Sequence, residues 1–232
     1  MHLKKWENLP EFMKNEPVRR YYDELSKKKI QLHIKRIFDS IISLFLLVLL
    51  SPIFLIVAIA IKIDSKGPVF YRQKRITQYG RVFRIFKFRT MIQNADQKGS
   101  LVTLGEDERI TRIGKKIRKC RLDEIPQLLN ILIGDMSFVG TRPEVPKYVE
   151  RYTDEMKATL LMPAGVTSTA SIEFKDEDEI INTYLIKGEK VDDIYVNRIL
   201  PEKMKWNLKE IEEFNVMKDI QTEIKTIIAV LK

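Results

Sequence analysis

The longest apolar run of the chain covers residues 37–61, IFDSIISLFLLVLLSPIFLIVAIAI, in which Asp39 is the single charge. It is long enough for a bilayer core, which takes roughly 20 apolar residues. Ser51-Pro52 lies near its middle, where proline removes a backbone hydrogen bond and bends a helix. A highly charged lead precedes the run and no small-residue cleavage site follows it, which argues against a cleaved signal peptide. The pattern predicts a membrane-associated helix that is broken at Ser51-Pro52.

Basic residues lie on both sides of this run. The positive-inside rule therefore favours the cytoplasmic side for both of its ends. A helix that enters the membrane, breaks and returns to the same leaflet satisfies that preference. A single kinked spanning helix remains an alternative, because proline kinks are tolerated in membranes. The basic residues are Lys27, Lys28, Lys29, Lys35 and Arg36 before the run, and Lys62, Lys66, Arg72, Lys74 and Arg75 after it.

The segments around the apolar run predict short helices and one hairpin. Residues 1–34 combine basic and aromatic side chains in short helical patterns, which suit either a membrane-surface segment or a solvated helix. Strand-like segments follow Gly67 and predict a hairpin that turns near residues 78–80. The polar stretch 91–114 predicts a helix followed by a loop.

The second half of the chain predicts further helices. Apolar residues recur at helical spacing over residues 122–132, behind a basic helix, and Gly134 is a suitable stop. Residues 137–146 contain two prolines and predict a loop. The remaining predictions are a helix over 151–162 ended by Pro163, an acidic surface run over 173–180, and a long amphipathic helix or helix pair over 201–232.

The charge balance of the chain narrows its partners. It has 41 Lys+Arg against 32 Asp+Glu, a formal net charge of +9. Such a balance suits nucleic acid, an acidic membrane face or phosphorylated substrates, although solvated surface charge explains it as well. Cys120 is the single cysteine, and His2 and His33 are the only histidines, so a disulfide within the chain and zinc-ligand spacings are excluded. Any metal ion would be held by oxygen ligands.

Two adjacent carboxylates, Asp123 and Glu124, stand just before a proline and an apolar helical run. Acidic residues at a helix start complement the helix dipole, so a structural role is the first interpretation. Arg118 and Arg142 lie close by in sequence and favour phosphate binding. With phosphate present, the carboxylates could share Mg²⁺, and an aspartate can be the nucleophile of phosphoryl transfer.

Several segments together resemble the bacterial sugar transferase family, whose members are monotopic phosphoglycosyl transferases that start lipid-linked glycan assembly. The LDE-P-QL and G-x-RPE blocks, in that order behind a Ser-Pro apolar helix, are highly specific. The resemblance runs from about Lys35 to the C-terminus. The matching segments are KRIFD (35–39), SP (51–52), GPVFYRQKR (67–75), FKFRTM (86–91), RITRIGKKIRKCRLDEIPQLLNIL (109–132) and GDMSFVGTRPE (134–144).

The resemblance implies transfer of a sugar-1-phosphate from a nucleotide-diphosphate sugar, with a UDP-sugar expected, to polyprenyl (undecaprenyl) phosphate. Asp123 would attack the sugar-bearing phosphorus and release the nucleoside monophosphate, while Glu124 would hold Mg²⁺. Polyprenyl phosphate would then take the phosphosugar from Asp123. No nucleic-acid partner is implied. By the same matching, Arg118 and Arg142 would contact phosphates, and Lys87 and Arg89 would line the site.

The family resemblance also implies an α+β, mostly helical fold with one re-entrant membrane helix, a short β-hairpin and amphipathic surface helices. Lys35, Arg36, Ser51 and Pro52 would belong to the membrane segment. The predicted location is the cytoplasmic leaflet of the bacterial inner (plasma) membrane, where the acceptor phosphate lies at head-group depth. The predicted division is a lead-in over 1–34, the re-entrant helix over 35–62 and a cytoplasmic catalytic domain over 63–232.

The chain departs from the family pattern at two places. Residues 163–174 read PAGVTSTASIEF where relatives usually read PG-I-TG-W-Q, so the resemblance does not define the sugar or the nucleotide. A Leu-Asp pair of many members aligns with Trp206-Asn207, which lacks the aspartate. The oligomeric state is left open, with a homodimer as one option. A competing hypothesis is a membrane-tethered basic protein that binds anionic lipid or nucleic acid without catalysis.

Overall fold

A computed structural model describes residues 2–95, 107–174, 177–185 and 188–231. The predicted α+β, mostly helical class is confirmed. Residues 96–106 of the predicted helix and loop, and part of the acidic run, lie outside the described residues. The helices are α1 Glu16–Ser26, α2 Lys29–Leu49, α3 Ser51–Asp64, α4 Arg112–Lys119, α5 Gln127–Ile133, α6 Pro146–Val149, α7 Thr169–Glu173, α8 Glu177–Leu185, α9 Val191–Ile194, α10 Leu200–Glu212 and α11 Val216–Leu231; the strands are β1 Phe70–Ile76, β2 Val82–Phe88, β3 Met136–Val139 and β4 Ala164–Thr167.

The apolar run forms a bent helix pair. Helices α2 and α3 meet at Leu50 with an angle of 61° between them, and Pro52 lies in the first turn of α3. Proline suits a first turn, because the amide it lacks has no partner there in any case. Within the described residues, no helix taken alone is both long and apolar enough to cross a bilayer, whereas α2 and α3 together satisfy both criteria. Much of their apolar surface is exposed, for example at Ile41, Val48 and Ile56.

Polar side chains at the base of α2 attach it to the rest of the protein. Arg36 donates to the carbonyl oxygens of Ile131 and Leu132 at 2.5 and 2.8 Å, which satisfies the last turn of α5. Lys35 is 2% exposed, and its Nζ lies 2.5 Å from a carboxylate oxygen of Asp219 in α11. The charges of Lys35 and Arg36 are therefore engaged inside the protein.

The hairpin lies on α5. Strands β1 and β2 pair antiparallel, from Phe70 opposite Phe88 to Ile76 opposite Val82. The predicted turn at residues 78–80 is confirmed, with Tyr79 at φ 60°. Beside it, the Thr77 hydroxyl donates to the carbonyl oxygen of Asp135 at 2.6 Å. The hairpin is thereby fixed to the chain that follows α5.

Two predictions for the second half are wrong in part. The predicted loop over 137–146 begins with most of β3, which pairs parallel with β4. The predicted helix over 151–162 has one short 3₁₀ segment, Met156–Leu161. The strand escaped prediction because four residues before a glycine carry little pattern of their own, and the pairing with β4 is non-local. The helix pair predicted over 201–232 is confirmed by α10 and α11.

Residues before α2 pack into the main hydrophobic core. Met13, Val18 and Leu25 are completely buried and belong to one cluster with Leu161 and residues of α10. This segment also reaches the hairpin, since the Lys4 amide donates to the Tyr79 hydroxyl at 2.9 Å. The N-terminal residues are therefore an integral part of the packed fold.

Candidate active site

Asp123 and Glu124 lie in a short 3₁₀ turn, Leu122–Glu124, between α4 and α5. Arg121 adopts a left-handed conformation with φ 54°, which reverses the chain after α4. The N-cap position of α5 is occupied by Pro126, without a side-chain cap. The capping interpretation of the acidic pair therefore finds no support in the described hydrogen bonds.

Glu124 is held between two cations. Lys87 Nζ on β2 donates to Glu124 Oε1 at 2.7 Å, and Arg142 Nη2 donates to the same oxygen at 3.0 Å. Burial by itself would raise the pKa of Glu124, but the charges of Lys87 and Arg142 outweigh burial and hold the pKa well below its ordinary value. Glu124 is therefore ionised at neutral pH.

Asp123 has the opposite environment. Burial raises its pKa and the neighbouring Glu124 raises it further, against the opposing charges of Lys87 and Arg118. Among the described residues, none donates a hydrogen bond to its carboxylate. Two adjacent carboxylates thus have pKa values displaced in opposite directions, which is typical of groups with different chemical roles.

A cavity of about 1140 Å³ opens in front of the acidic pair. Basic residues of several elements line it, among them Arg72 on β1, Lys87 on β2, Arg118 on α4, Arg142 after β3 and Lys203 on α10. This volume holds a ligand larger than most drug-sized molecules. The distribution of charge suits a ligand with several anionic groups.

The predicted site residues Lys87, Arg118, Asp123, Glu124 and Arg142 all line this cavity. Their roles in catalysis and phosphate binding stay predictions. Arg89 also lines it, but its guanidinium is bound elsewhere. It donates to the carbonyl oxygens of Ser65 and Lys66 at 2.7 and 2.8 Å, just after α3. Arg89 thus binds the chain at the C-terminal end of the bent helix pair. A contact between Arg89 and substrate stays a prediction.

Sequence reasoning missed two residues of α5 and one buried pair. Asn130 is completely buried; its Oδ1 accepts from the Phe86 amide at 2.8 Å, and its Nδ2 donates to the Arg84 carbonyl at 3.1 Å. Gln127 lines the cavity. Tyr195 donates to Glu144 Oε1 at 2.5 Å. An amide inside an apolar helical run was the available signal for Gln127 and Asn130.

Asn207, which the resemblance aligns with an aspartate of many family members, is buried in α10. Its Nδ2 lies 3.8 Å from the Met204 sulfur. It is absent from the described lining of the cavity. The departure from the family pattern at this position therefore lies outside the contacts made by the acidic pair.

The donor set fits Mg²⁺ only together with a ligand. The described residues contain no group of three or more metal-ligating side chains. Mg²⁺ is commonly held by one or two carboxylates plus phosphate oxygens. Asp123, whose carboxylate receives no hydrogen bond from a described residue, and Glu124 supply such a pair.

Comparison with known proteins places the chain in a family. The sequence model described as "Bacterial sugar transferase" matches residues 30–232. The chain belongs to the bacterial sugar transferase family. The resemblance inferred from the motifs is thereby confirmed.

Three relatives carry functional names. A UDP-N-acetylgalactosamine-undecaprenyl-phosphate N-acetylgalactosaminephosphotransferase of Aeromonas hydrophila is 45% identical over 123 residues, which cover 53% of this chain and 29% of the relative. A UDP-glucose:undecaprenyl-phosphate glucose-1-phosphate transferase of Klebsiella pneumoniae is 38% identical over 146 residues, which cover 62% of this chain and 31% of the relative. The exopolysaccharide production protein ExoY of Sinorhizobium fredii is 37% identical over 158 residues, which cover 62% of this chain and 70% of the relative. The chain thus matches about a third of the first two relatives and most of the third.

Proposed function

We propose that this protein is a phosphoglycosyl transferase that moves a sugar-1-phosphate from a nucleotide-diphosphate sugar to undecaprenyl phosphate. A UDP-sugar is the expected donor, because the names of two relatives include a UDP-sugar donor and the undecaprenyl-phosphate acceptor. The observation that carries the proposal is the acidic pair itself. Asp123 receives no hydrogen bond from a described residue and faces a cation-lined cavity, while Glu124 is held ionised beside it.

The chemistry follows from this division of roles. A carboxylate oxygen of Asp123 attacks the sugar-bearing phosphorus, and the bond to the nucleoside monophosphate breaks, so that this group leaves with the electron pair. An oxygen of undecaprenyl phosphate then attacks the same phosphorus and releases the Asp123 carboxylate. The products are undecaprenyl-diphosphate-sugar and nucleoside monophosphate. Covalent catalysis divides one transfer into two easier steps.

Cationic residues supply the electrostatic part of the reaction. Arg118 and Arg142 neutralise phosphate charge as the donor binds, and Lys87 keeps Glu124 ionised and in place. Glu124 and Asp123 would hold Mg²⁺ together with phosphate oxygens of the donor, and the bound ion would supply neutralisation of phosphate charge.

The bent helix pair supports a monotopic position in the membrane. A re-entrant α2–α3 pair would hold the cavity at the depth of lipid phosphates, facing the cytoplasm of a bacterial cell at its inner membrane. Arg89 contributes by binding the chain just after α3. The acceptor phosphate would then reach Asp123 without leaving the head-group layer.

Turnover tests this proposal. Detergent-purified protein is incubated with undecaprenyl phosphate, Mg²⁺ and a panel of nucleotide-diphosphate sugars, and nucleoside monophosphate is measured. We expect release with at least one donor, and mass spectrometry of protein quenched with that donor alone should show a phosphosugar on Asp123. Release without such an adduct would refute the covalent mechanism. Absence of release from a complete donor panel would favour a binding protein without catalysis.

A further inference from the structure

Gln127 is a buried amide with an unused donor. The residue is 2% exposed, and no described residue accepts a hydrogen bond from its Nε2. Most buried polar side-chain atoms in proteins have a partner, so an exception requires an explanation. Six buried side-chain atoms of the described residues make no hydrogen bond, and of these six side chains only Gln127 and Arg89 line the cavity. Such a group destabilises the fold unless a bound molecule supplies the partner.

The position of Gln127 indicates what its missing partner is. Ile125 and Pro126 both have right-handed helical conformations, so the chain makes one continuous turn from the acidic pair into α5. Residues four positions apart in such a turn point to the same side. Asp123 and Gln127 accordingly line the same cavity. The acceptor for Nε2 would therefore come from a molecule bound in that cavity.

We propose that Gln127 is a further catalytic residue, whose Nε2–H donates to a non-bridging oxygen of the phosphoryl group that is transferred to and from Asp123. This inference rests on the proposed phosphoglycosyl transfer. The amide gains and loses no proton in either step. In the first step, the Asp123–phosphorus bond forms as the bond to the nucleoside monophosphate breaks. In the second step, the bond to undecaprenyl phosphate forms as the Asp123–phosphorus bond breaks, and the amide donates to the same oxygen.

A neutral donor has a distinct purpose among so many cations. In the described structure, Lys87 and Arg142 both donate to Glu124 Oε1. The negative charge of the transferred group is spread over its equatorial oxygens in the transition state. A fixed amide directed at one of these oxygens stabilises that charge without ion pairing to Asp123 itself.

Replacement of Gln127 by methionine separates this role from a structural one. Gln127→Met keeps the length of the side chain and removes the donor. We expect the rate of adduct formation on Asp123, measured with a UDP-sugar by rapid quench, to fall about 100-fold, as for loss of one oxyanion donor. The Tm should stay the same or rise, because an unsatisfied buried group is removed.

A matched control is the same substitution at Gln78. Its Nε2 donates to the Leu161 carbonyl oxygen at 2.9 Å, and it is absent from the described lining of the cavity. Gln78→Met should lower the Tm, because a made hydrogen bond is lost, while the rate of adduct formation stays at the wild-type value. Gln127→Met is thus expected to lower the rate without lowering the Tm, and Gln78→Met to lower the Tm without lowering the rate.

Three results would overturn the inference. A rate for Gln127→Met close to that of the wild type shows that the amide does not contact the transferred group. A rate loss that disappears when the rate is divided by the folded fraction shows that the amide is structural. Absence of any adduct in the wild-type protein overturns the proposed function together with this inference, whereas the first two results leave the proposed function intact.

Discussion

Lys87 on β2 and Glu124 in the turn before α5 form a hydrogen-bonded ion pair with 2.7 Å between Nζ and Oε1. The two residues are far apart in the sequence, and Arg142 joins them from a third segment at 3.0 Å. Burial of the pair leaves Glu124 dependent on its two cations. Removal of either cation should therefore affect both the charge of Glu124 and the stability of the fold.

Lys87→Met should destabilise the protein at pH 7 by roughly 1–3 kcal/mol, because an ionised buried carboxylate loses a partner. A carboxyl group with a lowered pKa stabilises the fold above its unfolded pKa of about 4.3 and loses that contribution as the pH falls through the folded pKa. The difference in unfolding free energy between Lys87→Met and the wild type should therefore become smaller as the pH falls below about 4.3. Urea unfolding at several pH values measures this difference. Lys74→Met, at an exposed position of β1, is the control.

Asp123→Asn should abolish turnover and leave the fold intact. Burial raises the pKa of Asp123, so folding is less favourable with an ionised carboxylate at this position than with a neutral group. Removal of this charge should leave the Tm unchanged or raise it slightly. Nucleoside monophosphate release and thermal unfolding are the measurements. Activity near the wild-type level would be incompatible with a covalent role of Asp123.

The pH dependence of adduct formation should reflect the same raised pKa. The attacking carboxylate must be ionised, so the rate should fall as the pH is lowered through a pKa above the ordinary value of about 3.9. Rapid-quench rates from pH 4 to 8, at constant ionic strength, measure this limb. A rate that is flat down to the ordinary aspartate pKa would contradict the environment described for Asp123.

Asn130→Asp should weaken the junction between the hairpin and α5. The amide accepts from Phe86 and donates to Arg84, the two strand residues that flank Ile85 and precede Lys87. The substitution keeps the acceptor and removes the donor, at a cost of about 1–3 kcal/mol in unfolding free energy. Asn215→Asp, where the side chain accepts from the Met217 amide, is the control and should be neutral. Equal stability of both variants would refute the junction role.

Cysteine labelling tests the course of the bent helix pair. Cysteines placed at the exposed positions Lys27 and Lys66, in a Cys120→Ser background, flank α2 and α3. A re-entrant pair predicts that both react with an impermeant reagent from the same side of sealed vesicles. Reaction from opposite sides would establish a kinked spanning helix and refute the monotopic position.

Local chemistry accounts for what could be predicted from sequence. Pro52 breaks the apolar run, Gly134 ends α5 in a left-handed conformation, and the hairpin turns where glycine follows Tyr79. Each of these depends on a few adjacent residues. The family motifs added the residues of the acidic pair and their cations, because those residues lie in contiguous blocks.

Non-local contacts explain the remainder. The pairing of β3 with β4 and the ion pair between Lys35 and Asp219 join segments that carry no mutual signal in a single sequence. A role for the unpartnered Nε2 of Gln127 can be recognised only when the cavity is known. Composition left the N-terminal segment between a membrane-surface and a solvated role, but its place depends on packing, since Met13 is completely buried in the main core.

The ion pair between Lys35 and Asp219 sets an order for biogenesis. Lys35 is synthesised early, but its partner on α11 follows only after the acidic pair and the strands β1 to β4. Until then, the ammonium group of Lys35 on α2 lacks this carboxylate partner. The contact between α2 and α11 therefore forms only after α11 has been synthesised.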